Sequence, residues 1–369
     1  MKKRFPAFLS GVLVTVLAFS LCLGALAASG KLTLEVDPVN IRVGGELFQP
    51  KDANGKDVPL FAYNGTTYAP VRALAEAYGL YVGYDKTAGI VWVNDVPEAA
   101  VPAADAARKN KVNVSTAAEL VAAIAPNTEI ILAPGEYNLT PLANKTSNPH
   151  VVWTDEFDGP QLNILNVEGL TLRGQDMAKT NILVTPRYAD VLHFEGCTDV
   201  VLDALTIGHT PTGSCEGSVL NFSYSAGILV TGSDLYGCGT YGVEALYASN
   251  LLVEKSNIRD CSYGAAIIQG SENVTIDHCE VFGNEAFNLF DLYGSSNVSI
   301  TNSSIRDTTD VGSDYWPLIS AEGSSNTLIK NCAFKNNNHS AFTDVTPGGP
   351  ELTVEGCTFE GNGFKAPGK

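Results

Sequence analysis

A short pattern of apolar and polar residues returns along the C-terminal two thirds of the chain. In the segment NVTIDHCEV, residues 273–281, a small polar residue precedes an apolar, variable, apolar triplet, and a small Cys or Ser and a further apolar residue follow. Apolar residues two apart lie on the same side of a strand. The first and third members of each triplet are therefore predicted to face inward. The triplets begin at Leu170, Val200, Ile228, Leu251, Val274, Val298, Thr327 and Leu352.

The interval between successive triplets is 23 to 30 residues, which is typical of a solenoid with one coil per repeat. One coil alone cannot bury its apolar side, so each coil must lie on the next. Small or left-handed residues follow the last apolar position of most copies, as a tight turn requires. These residues are Cys238, Cys261, Asn284, Asn337 and Asn362.

This repeat resembles that of the right-handed parallel β-helix in pectin lyase-like proteins, over residues 112–365. The resemblance implies a mainly β protein with about ten coils, each adding to a stack. Thr116 and Glu119 fit a capping box, and Leu120, Val121 and Ile124 would give a short helix an apolar side. We expect this helix to close the open end of the first coil.

The first 27 residues have the features of a bacterial secretory signal peptide. Lys2, Lys3 and Arg4 precede an apolar run from residue 5 to 26, and small residues at positions 25 and 27 suit cleavage. We therefore predict an exported protein, secreted or held at the cell surface, with no membrane span after signal removal. A retained membrane anchor is the alternative.

Residues 31–96 form a separate small α+β module. The segment YNGTTYAPVRALAEAYG, followed by VGYD and IVWVN, resembles the copper amine oxidase N-terminal domain-like, or stalk, module of secreted bacterial proteins. No metal is carried over, because all five histidines lie outside this module. Residues 97–111 are rich in Ala and Pro and are predicted to be a linker. We expect the β-helix to fold without the module.

The net charge of the chain limits the kinds of molecule that it can bind. Removal of the signal peptide changes the formal net charge from −17 to about −20, which argues against nucleic acid or an anionic membrane as a partner. An acidic polysaccharide is not excluded, because bound cations can bridge like charges. We expect a polysaccharide partner and a monomer.

Seven cysteines remain after signal removal. Cys279, Cys332 and Cys357 occupy the position that is Ser in other copies, so we expect an inward ladder of small residues. The sequence contains no C-x-x-C pair of the kind that metal sites use. Packing of buried thiols is the simpler interpretation. Cys238 and Cys261 are predicted neighbours within disulfide reach.

A row of polar residues is predicted on the outward side of the third strand of each coil. Counting back from each triplet gives one row and then a second beside it, fringed by aromatic residues from the preceding loops. The first row is Asn163, His193, Asn221, Glu244, Ile267, Asp291, Ser320 and Thr343. The second row is Leu165, Glu195, Ser223, Leu246, Gln269, Tyr293 and Glu322.

Such a face suits a carbohydrate chain, because carboxylates and amides bond hydroxyl groups and aromatic rings cover sugar faces. The candidate catalytic residues are His193, Glu244 and Asp291, which include groups able to move protons near neutral pH. The alternative is that a solenoid must place polar residues outside, whatever its function. The candidate substrate-binding residues are Asn221, Tyr241, Tyr263, Tyr293 and Trp316.

Three weaker candidates remain. Asp277 and His278, in NVTIDHC, match the strand that carries Asp and His in pectate lyases, but the paired arginines and calcium-binding aspartates of those lyases have no counterpart. Clustered carboxylates in WTDEFDGP, residues 153–160, suggest Ca²⁺, the one cofactor that the sequence indicates. The insertion with His209 and Cys215 could supply a nucleophile.

The function predicted from sequence is that of an exported, polysaccharide-interacting β-helix protein. It would be a lyase or hydrolase acting on cell-wall or environmental glycan, or alternatively a non-catalytic surface or glycan-binding protein.

Overall fold

The computed structural model describes residues 35–43, 45–51, 56–78, 81–85, 90–94, 100–143, 145, 147–210, 216–237, 239–312 and 316–367. The predicted signal peptide, Cys215 and Cys238 lie outside these residues. No helix in this part of the chain has both the length and the apolar character needed to cross a bilayer.

The chain divides between Leu74 and Ala75 into two compact units. The first described elements are short, as predicted for a small α+β module. They are β1 (Asp37–Pro38), β2 (Ile41–Val43), β3 (Glu46–Phe48), β4 (Phe61–Tyr63), β5 (Thr66–Tyr68), α1 (Val71–Glu76), β6 (Tyr81–Asp85) and β7 (Ile90–Asn94). β1, β4 and β5 form an antiparallel sheet, and β2 with β3 and β6 with β7 form antiparallel pairs.

The β-helix consists of three long sheets of stacked parallel strands. The first sheet carries the predicted apolar triplets. Its strands are β8 (Asn110–Val114), β9 (Thr128–Leu132), β13 (Glu168–Gly174), β16 (Thr198–Asp203), β19 (Ala226–Thr231), β22 (Ser249–Glu254), β25 (Glu272–Asp277), β29 (Ser299–Thr301), β33 (Thr327–Lys330) and β35 (Leu352–Glu355).

The second sheet follows the first in each coil, after a turn at the small inward residue. Its strands are β10 (Gly135–Asn138), β14 (Thr180–Val184), β17 (Thr206–His209), β20 (Asp234–Tyr236), β23 (Asn257–Arg259), β26 (Glu280–Phe282), β30 (Ser304–Arg306), β34 (Ala333–Lys335) and β36 (Thr358–Glu360). A short pair, β27 (Glu285–Ala286) and β31 (Thr309–Asp310), lies in the loops that follow.

The third sheet carries the predicted polar rows. Its first two strands form an antiparallel hairpin, and the others are parallel. The strands are β11 (Val151–Glu156), β12 (Gly159–Leu165), β15 (Leu192–Glu195), β18 (Leu220–Ser223), β21 (Tyr241–Leu246), β24 (Gly264–Gln269), β28 (Phe290–Tyr293) and β32 (Ile319–Ser320).

Seven coils contribute a strand to all three sheets, and the two that contain β33 and β35 contribute to the first two sheets only. The prediction of about ten coils is therefore too high. Repeats of the first strand show in the sequence, but they do not reveal whether a third strand follows.

The interior is apolar, as the triplets predict. The inward residues Val274 and Ile276 are 1% exposed, and Leu251 and Val253 are fully buried. Their register neighbours stack directly on them, since Val253 pairs with Ile276 and Ile276 with Ile300. The core therefore runs continuously through the stacked coils.

The predicted cap is confirmed. Helix α2 (Ala117–Ala123) is preceded by its N-cap residue, Thr116. The Thr116 side chain accepts from the backbone N–H of Glu119, and the Glu119 carboxylate accepts from the backbone N–H of Thr116. Leu120 and Val121 are buried. The Asn148 amide donates to the carbonyls of Val121 and Ile124, which satisfies two acceptors at the end of the helix.

Part of the predicted linker contacts the first sheet. Arg108, with a side chain 3% exposed, forms an ion pair with Asp199 and donates to the Thr171 hydroxyl. The carbonyl of Ala104 accepts from Arg173. The first strand of the sheet starts at Asn110, inside the range predicted as linker.

Small inward residues form ladders at the turns. Ser256 and Ser303 are almost fully buried beside Cys279 and Cys332, as predicted, but Cys357 is only half-buried. Cys357 lies in the last coil, which has no following coil to cover it. A second ladder uses amides: Asn284, Asn337 and Asn362 donate to the carbonyls of Ile258, Ile305 and Phe334.

We predict that native thiol labelling distinguishes these cysteines. Burial raises the pKa of Cys279 to about 12, so little thiolate forms there. A hydrogen bond from the Cys332 thiol lowers the pKa of half-buried Cys357, so Cys357 should react first. Mass spectrometry after timed alkylation, with Cys357→Ser as control, checks the order. Equal rates at Cys279 and Cys357 would contradict the register.

We predict that a fragment starting at residue 100 is more stable than one starting at residue 112. The shorter fragment loses Arg108, which is buried against Asp199, and the start of β8. Its free energy of unfolding should be lower by about 2 kcal/mol. Thermal melting of both fragments by circular dichroism measures the difference, and equal melting temperatures would show that the Arg108 contacts contribute no stability.

Candidate active site

The register of the third sheet confirms most of the predicted first row. Asn163, His193, Asn221, Glu244, Ile267, Asp291 and Ser320 are successive Cα partners. The last member is wrong, because Thr343 pairs with Ile319. Asp344 instead lies beside Ser320 and accepts from its hydroxyl at 2.6 Å.

The second predicted row is also in register from Leu165 through Glu195, Ser223, Leu246 and Gln269 to Tyr293. Strand pairing therefore sets two polar rows side by side on one surface, here called the third-sheet face. Neighbouring residues in each row are one strand spacing apart, about 4.8 Å.

His193 is held from the side by a carboxylate. Its Nδ1 lies 2.9 Å from Oδ2 of Asp190, and the side chains are 16% and 9% exposed. A carboxylate only accepts, so the Nδ1 proton of His193 is the donor. The Gln161 amide oxygen accepts from the backbone N–H of Asp190 at 2.7 Å, which fixes the position of Asp190.

Nε2 of His193 is buried and has no hydrogen-bond partner among the described residues. Buried polar atoms are usually paired, so an unpaired imidazole nitrogen beside a polar surface is unusual. It can bond a hydroxyl group of a bound molecule.

Glu244 is linked to the same network through Ser218. The Ser218 hydroxyl donates to the Glu244 carboxylate at 2.7 Å, and the Ser218 backbone N–H donates to Oδ1 of Asp190 at 2.7 Å. The pKa of Glu244 is raised to about 7, chiefly by burial and then by the nearby charge of Asp190. The Ser218 hydrogen bond and the charge of His193 act in the opposite direction. Glu244 is therefore about half protonated at neutral pH.

Asp291 lies two strands beyond Glu244 in the same row, with Ile267 between them. Burial raises the pKa of Asp291 to about 6, with a smaller effect of the Asp344 charge. Two strand spacings separate the Cα atoms of Glu244 and Asp291 by about 10 Å. Two carboxyl groups with raised pKa values thus flank an apolar side chain.

The predicted aromatic fringe forms a packed ladder. Ring centroids are 6.5 Å apart for Tyr241 and Tyr263, 4.8 Å for Tyr263 and Phe287, and 5.2 Å for Phe287 and Trp316. All three contacts are edge to face, so neighbouring rings cover part of each ring face. Trp316, at the end of the ladder, is 38% exposed.

Tyr241 connects the ladder to the carboxyl groups. Its pKa is raised by burial and then by the charges of Asp291 and Glu244. The phenol therefore stays protonated and can donate a hydrogen bond near both carboxyl groups. Of the other predicted binding residues, Asn221 accepts from the Ser223 hydroxyl at 2.8 Å, and Tyr293 lies next to Gln269.

Sequence reasoning missed Asp190, Ser218 and Gln161. Asp190 and Ser218 occupy the register position of Tyr241, three residues before the first row. The signal was available in that spacing, but these residues belong to the loops that lead into the strands. It also missed Phe157, which is 87% exposed and contacts the Tyr188 ring with centroids 5.0 Å apart.

The face of the first sheet is engaged in its own contacts. Asp277 accepts from Thr301 at 2.5 Å and from Asn302 at 2.8 Å, and it lies 2.6 Å from His278. Burial would raise the pKa of Asp277, but these hydrogen bonds outweigh it and lower the pKa. An ionised, fully bonded carboxylate is poorly placed to act as a base.

The described residues of the two remaining candidates are engaged in other contacts or lie apart, and Cys215 lies outside the described residues. Asp158 accepts from the backbone N–H groups of Arg187 and Tyr188, while Asp155 and Glu156 lie on β11. Within the described ranges, no group of three or more His, Cys, Asp or Glu residues is arranged to hold a metal, and dependence on Ca²⁺ stays a prediction. His209 is buried, with Nε2 2.9 Å from the Ala189 carbonyl.

The family described as right handed beta helix region matches residues 218–367. No curated protein sequence matches the chain.

Solved structures with similar folds share little sequence with this chain. The alginate lyase from Paenibacillus sp. str. FPU-7 is 12% identical with a TM-score of 0.45, covering 70% of this chain and 99% of its own. Pectate lyase Pel9A is 12% identical with a TM-score of 0.41, covering 71% and 80%. The catalytic unit of the GH87 alpha-1,3-glucanase from Streptomyces thermodiastaticus is 12% identical with a TM-score of 0.26, covering 76% and 72%. The family match and the three stacked parallel sheets identify the C-terminal region as a right-handed parallel β-helix.

Proposed function

We propose that the third-sheet face binds a glycan along the axis of the β-helix and hydrolyses a glycosidic bond. Glu244 is the general acid and Asp291 the general base. The observation that carries this proposal is the pair itself: two carboxyl groups in one row, two strands apart, with pKa values raised by burial to about 7 and about 6.

Hydrolysis of a glycosidic bond requires one protonated and one ionised carboxyl group. Between pH 6 and 7 the higher pKa of Glu244 keeps much of its population protonated, while most of Asp291 is ionised. The first can protonate the leaving oxygen and the second can activate a water molecule. Two strand spacings, about 10 Å between Cα atoms, leave room between the two side chains for the water molecule of an inverting mechanism, in which the carboxyl groups themselves lie about 6.5–9.5 Å apart.

The other groups have supporting roles in this proposal. The negative charge of Asp190 helps to keep Glu244 protonated and its carboxylate orients His193. The Asn221 amide and the Tyr241 phenol are placed to bond sugar hydroxyl groups, and Nε2 of His193, which is buried in the free protein, joins them when binding moves the neighbouring side chains. Ile267, between the two carboxyl groups, provides an apolar floor for one sugar face.

The proposal includes export, since a polymeric glycan is met outside the cell. The predicted signal peptide at residues 1–27 supports it. We propose that the protein acts as a monomer, because all the groups above belong to one chain.

We predict that turnover depends on both carboxyl groups. Activity should follow a bell-shaped pH profile, rising as Asp291 ionises near pH 6 and falling as Glu244 ionises near pH 7. Glu244→Gln and Asp291→Asn should each lower kcat by about 100-fold or more. Glu272→Gln, an exposed change on the first sheet, is the matched control. Assays of new reducing ends and of the ultraviolet absorbance of unsaturated uronides distinguish hydrolase from lyase.

The result of this assay also decides between the function classes. Binding of glycan with no turnover in the native protein would show a glycan-binding protein. Turnover that survives both Glu244→Gln and His193→Ala unchanged would contradict the site and direct attention to Asp277 and His278.

We predict that Glu244 makes stability depend on pH. Its pKa is about 7 in the fold against 4.5 for the ordinary group, so the folded state favours the protonated form. Stability is therefore unaffected below pH 4.5 and is lost as the pH rises through 7, by about 3 kcal/mol at most. Glu244→Gln should raise the melting temperature at pH 8 relative to the native protein and leave it nearly unchanged at pH 4. An equal effect at both values would show that Glu244 is not buried as described.

A further inference from the structure

The three sheets differ in the charges that their strands carry. Lys and Arg occur in strands of the first sheet, at Lys111, Arg173 and Lys330, and of the second, at Arg259, Arg306 and Lys335. The eight strands of the third sheet contain neither residue. In the described part of the chain, each of the six cations forms an ion pair on its own sheet. Their partners are Glu129, Asp203, Asp234, Glu280, Glu355 and Glu360.

The third-sheet face carries carboxylates instead. Glu195 is exposed in the second row, and Glu322 is exposed in the turn that follows β32. Asp344 is exposed beside Ser320. Together with Glu244 and Asp291, these groups distribute negative charge along the length of the face.

Two cations among the described residues lie in loops that lead into this sheet, Lys145 before β11 and Arg187 before β15. The backbone N–H of Arg187 donates to Asp158 at 2.7 Å, which holds the Asp158 carboxylate close to Arg187. Both loops belong to the coils of β9 and β13, whereas Glu244 and Asp291 belong to the coils of β19 and β25.

A polyuronate would bring one carboxylate on every sugar to this face. The sugar carboxylates and the carboxylates of the face repel each other, and the repulsion is stronger where the protein side chains are partly buried. Elimination from a uronate also requires that its carboxylate be neutralised while the neighbouring proton is removed. The strands of this face contain no Lys or Arg for that step, and the one imidazole of the row, His193, is already paired with Asp190, whereas the acids can bond uncharged hydroxyl groups.

We propose that the glycan bound along the third-sheet face is free of acidic sugars, which rests on the proposed function and narrows its substrate class. The sugars that face Glu244 and Asp291 carry hydroxyl, amide or amino groups rather than carboxylates. The reaction there is hydrolysis, in which water adds across the glycosidic bond and one new reducing end forms for each bond broken.

The first experiment compares substrates with the full native chain. Neutral glucans, xylan, mannan and chitosan are tested against polygalacturonate and alginate, each with and without Ca²⁺. We expect kcat/KM for the best non-acidic glycan to exceed that for either polyuronate by at least about 100-fold, with no unsaturated product. Cleavage of a polyuronate at an equal or greater rate, under either condition, overturns the proposal.

The second experiment changes the charge on one sheet at a time. Glu195→Lys places a cation on the third-sheet face, and Glu272→Lys makes the same change in net charge on the first sheet. Alginate binding at low salt should rise at least about 3-fold for Glu195→Lys, fall again at high salt, and stay near the native value for Glu272→Lys. Equal effects of the two variants would show that net charge, and not the face, controls binding.

Glu322→Lys repeats this test on a later coil, and circular dichroism confirms that each variant is folded. Polyuronate cleavage that Glu244→Gln abolishes would overturn the charge proposal and leave the catalytic site intact. If no glycan of either class is bound or cleaved, the proposed function itself fails, and the substrate class fails with it.

Discussion

The stacking of each coil on the next, through backbone hydrogen bonds between parallel strands, is the interaction on which the rest of this structure depends. A coil has too few residues to enclose an apolar core, so its inward residues are buried only when another coil lies above and below. Burial therefore depends on the position of a coil in the stack as well as on the position of a residue in the repeat. Cys279 is buried and Cys357, at the same position in the last coil, is half-buried.

The same stacking builds the candidate site. Parallel pairing sets equivalent residues one strand apart, so a row of side chains is an automatic product of the fold. In the outward rows of the first two sheets, basic and acidic residues pair with each other, as where Arg173 pairs with Glu129 and Asp203. The third-sheet row differs, because Ile267 interrupts it and no Lys or Arg on its strands pairs with Glu244 or Asp291. Burial then raises their pKa values, and at Glu244 the opposing effects of Ser218 and His193 are too small to offset the loss of water.

The sequence was informative wherever the repeat is regular. The triplets predicted the inward residues, and a constant count back from them predicted the row from Asn163 to Ser320. The count failed at Thr343, where the last loops differ in length, and pairing with Ile319 moves Asp344 into the row. It also passed over Asp190 and Ser218, because they lie three residues before the row, in loops that no apolar pattern marks. Their roles depend on hydrogen bonds between coils, which a linear pattern does not contain.

The network around Asp190 shows why the site could not be assembled from single candidates. Asp190 accepts from the Ser218 backbone and from His193, and Ser218 in turn donates to Glu244. Three coils thus contribute to one proton-bearing group, and each contact is between residues 3 to 28 positions apart in the chain. The charge of Asp190 is close enough to raise the pKa of Glu244. In this arrangement the residue that raises the pKa and the residue whose pKa is raised are separate: the Asp190 side chain is 9% exposed, and Glu244 belongs to the outward row of the third-sheet face.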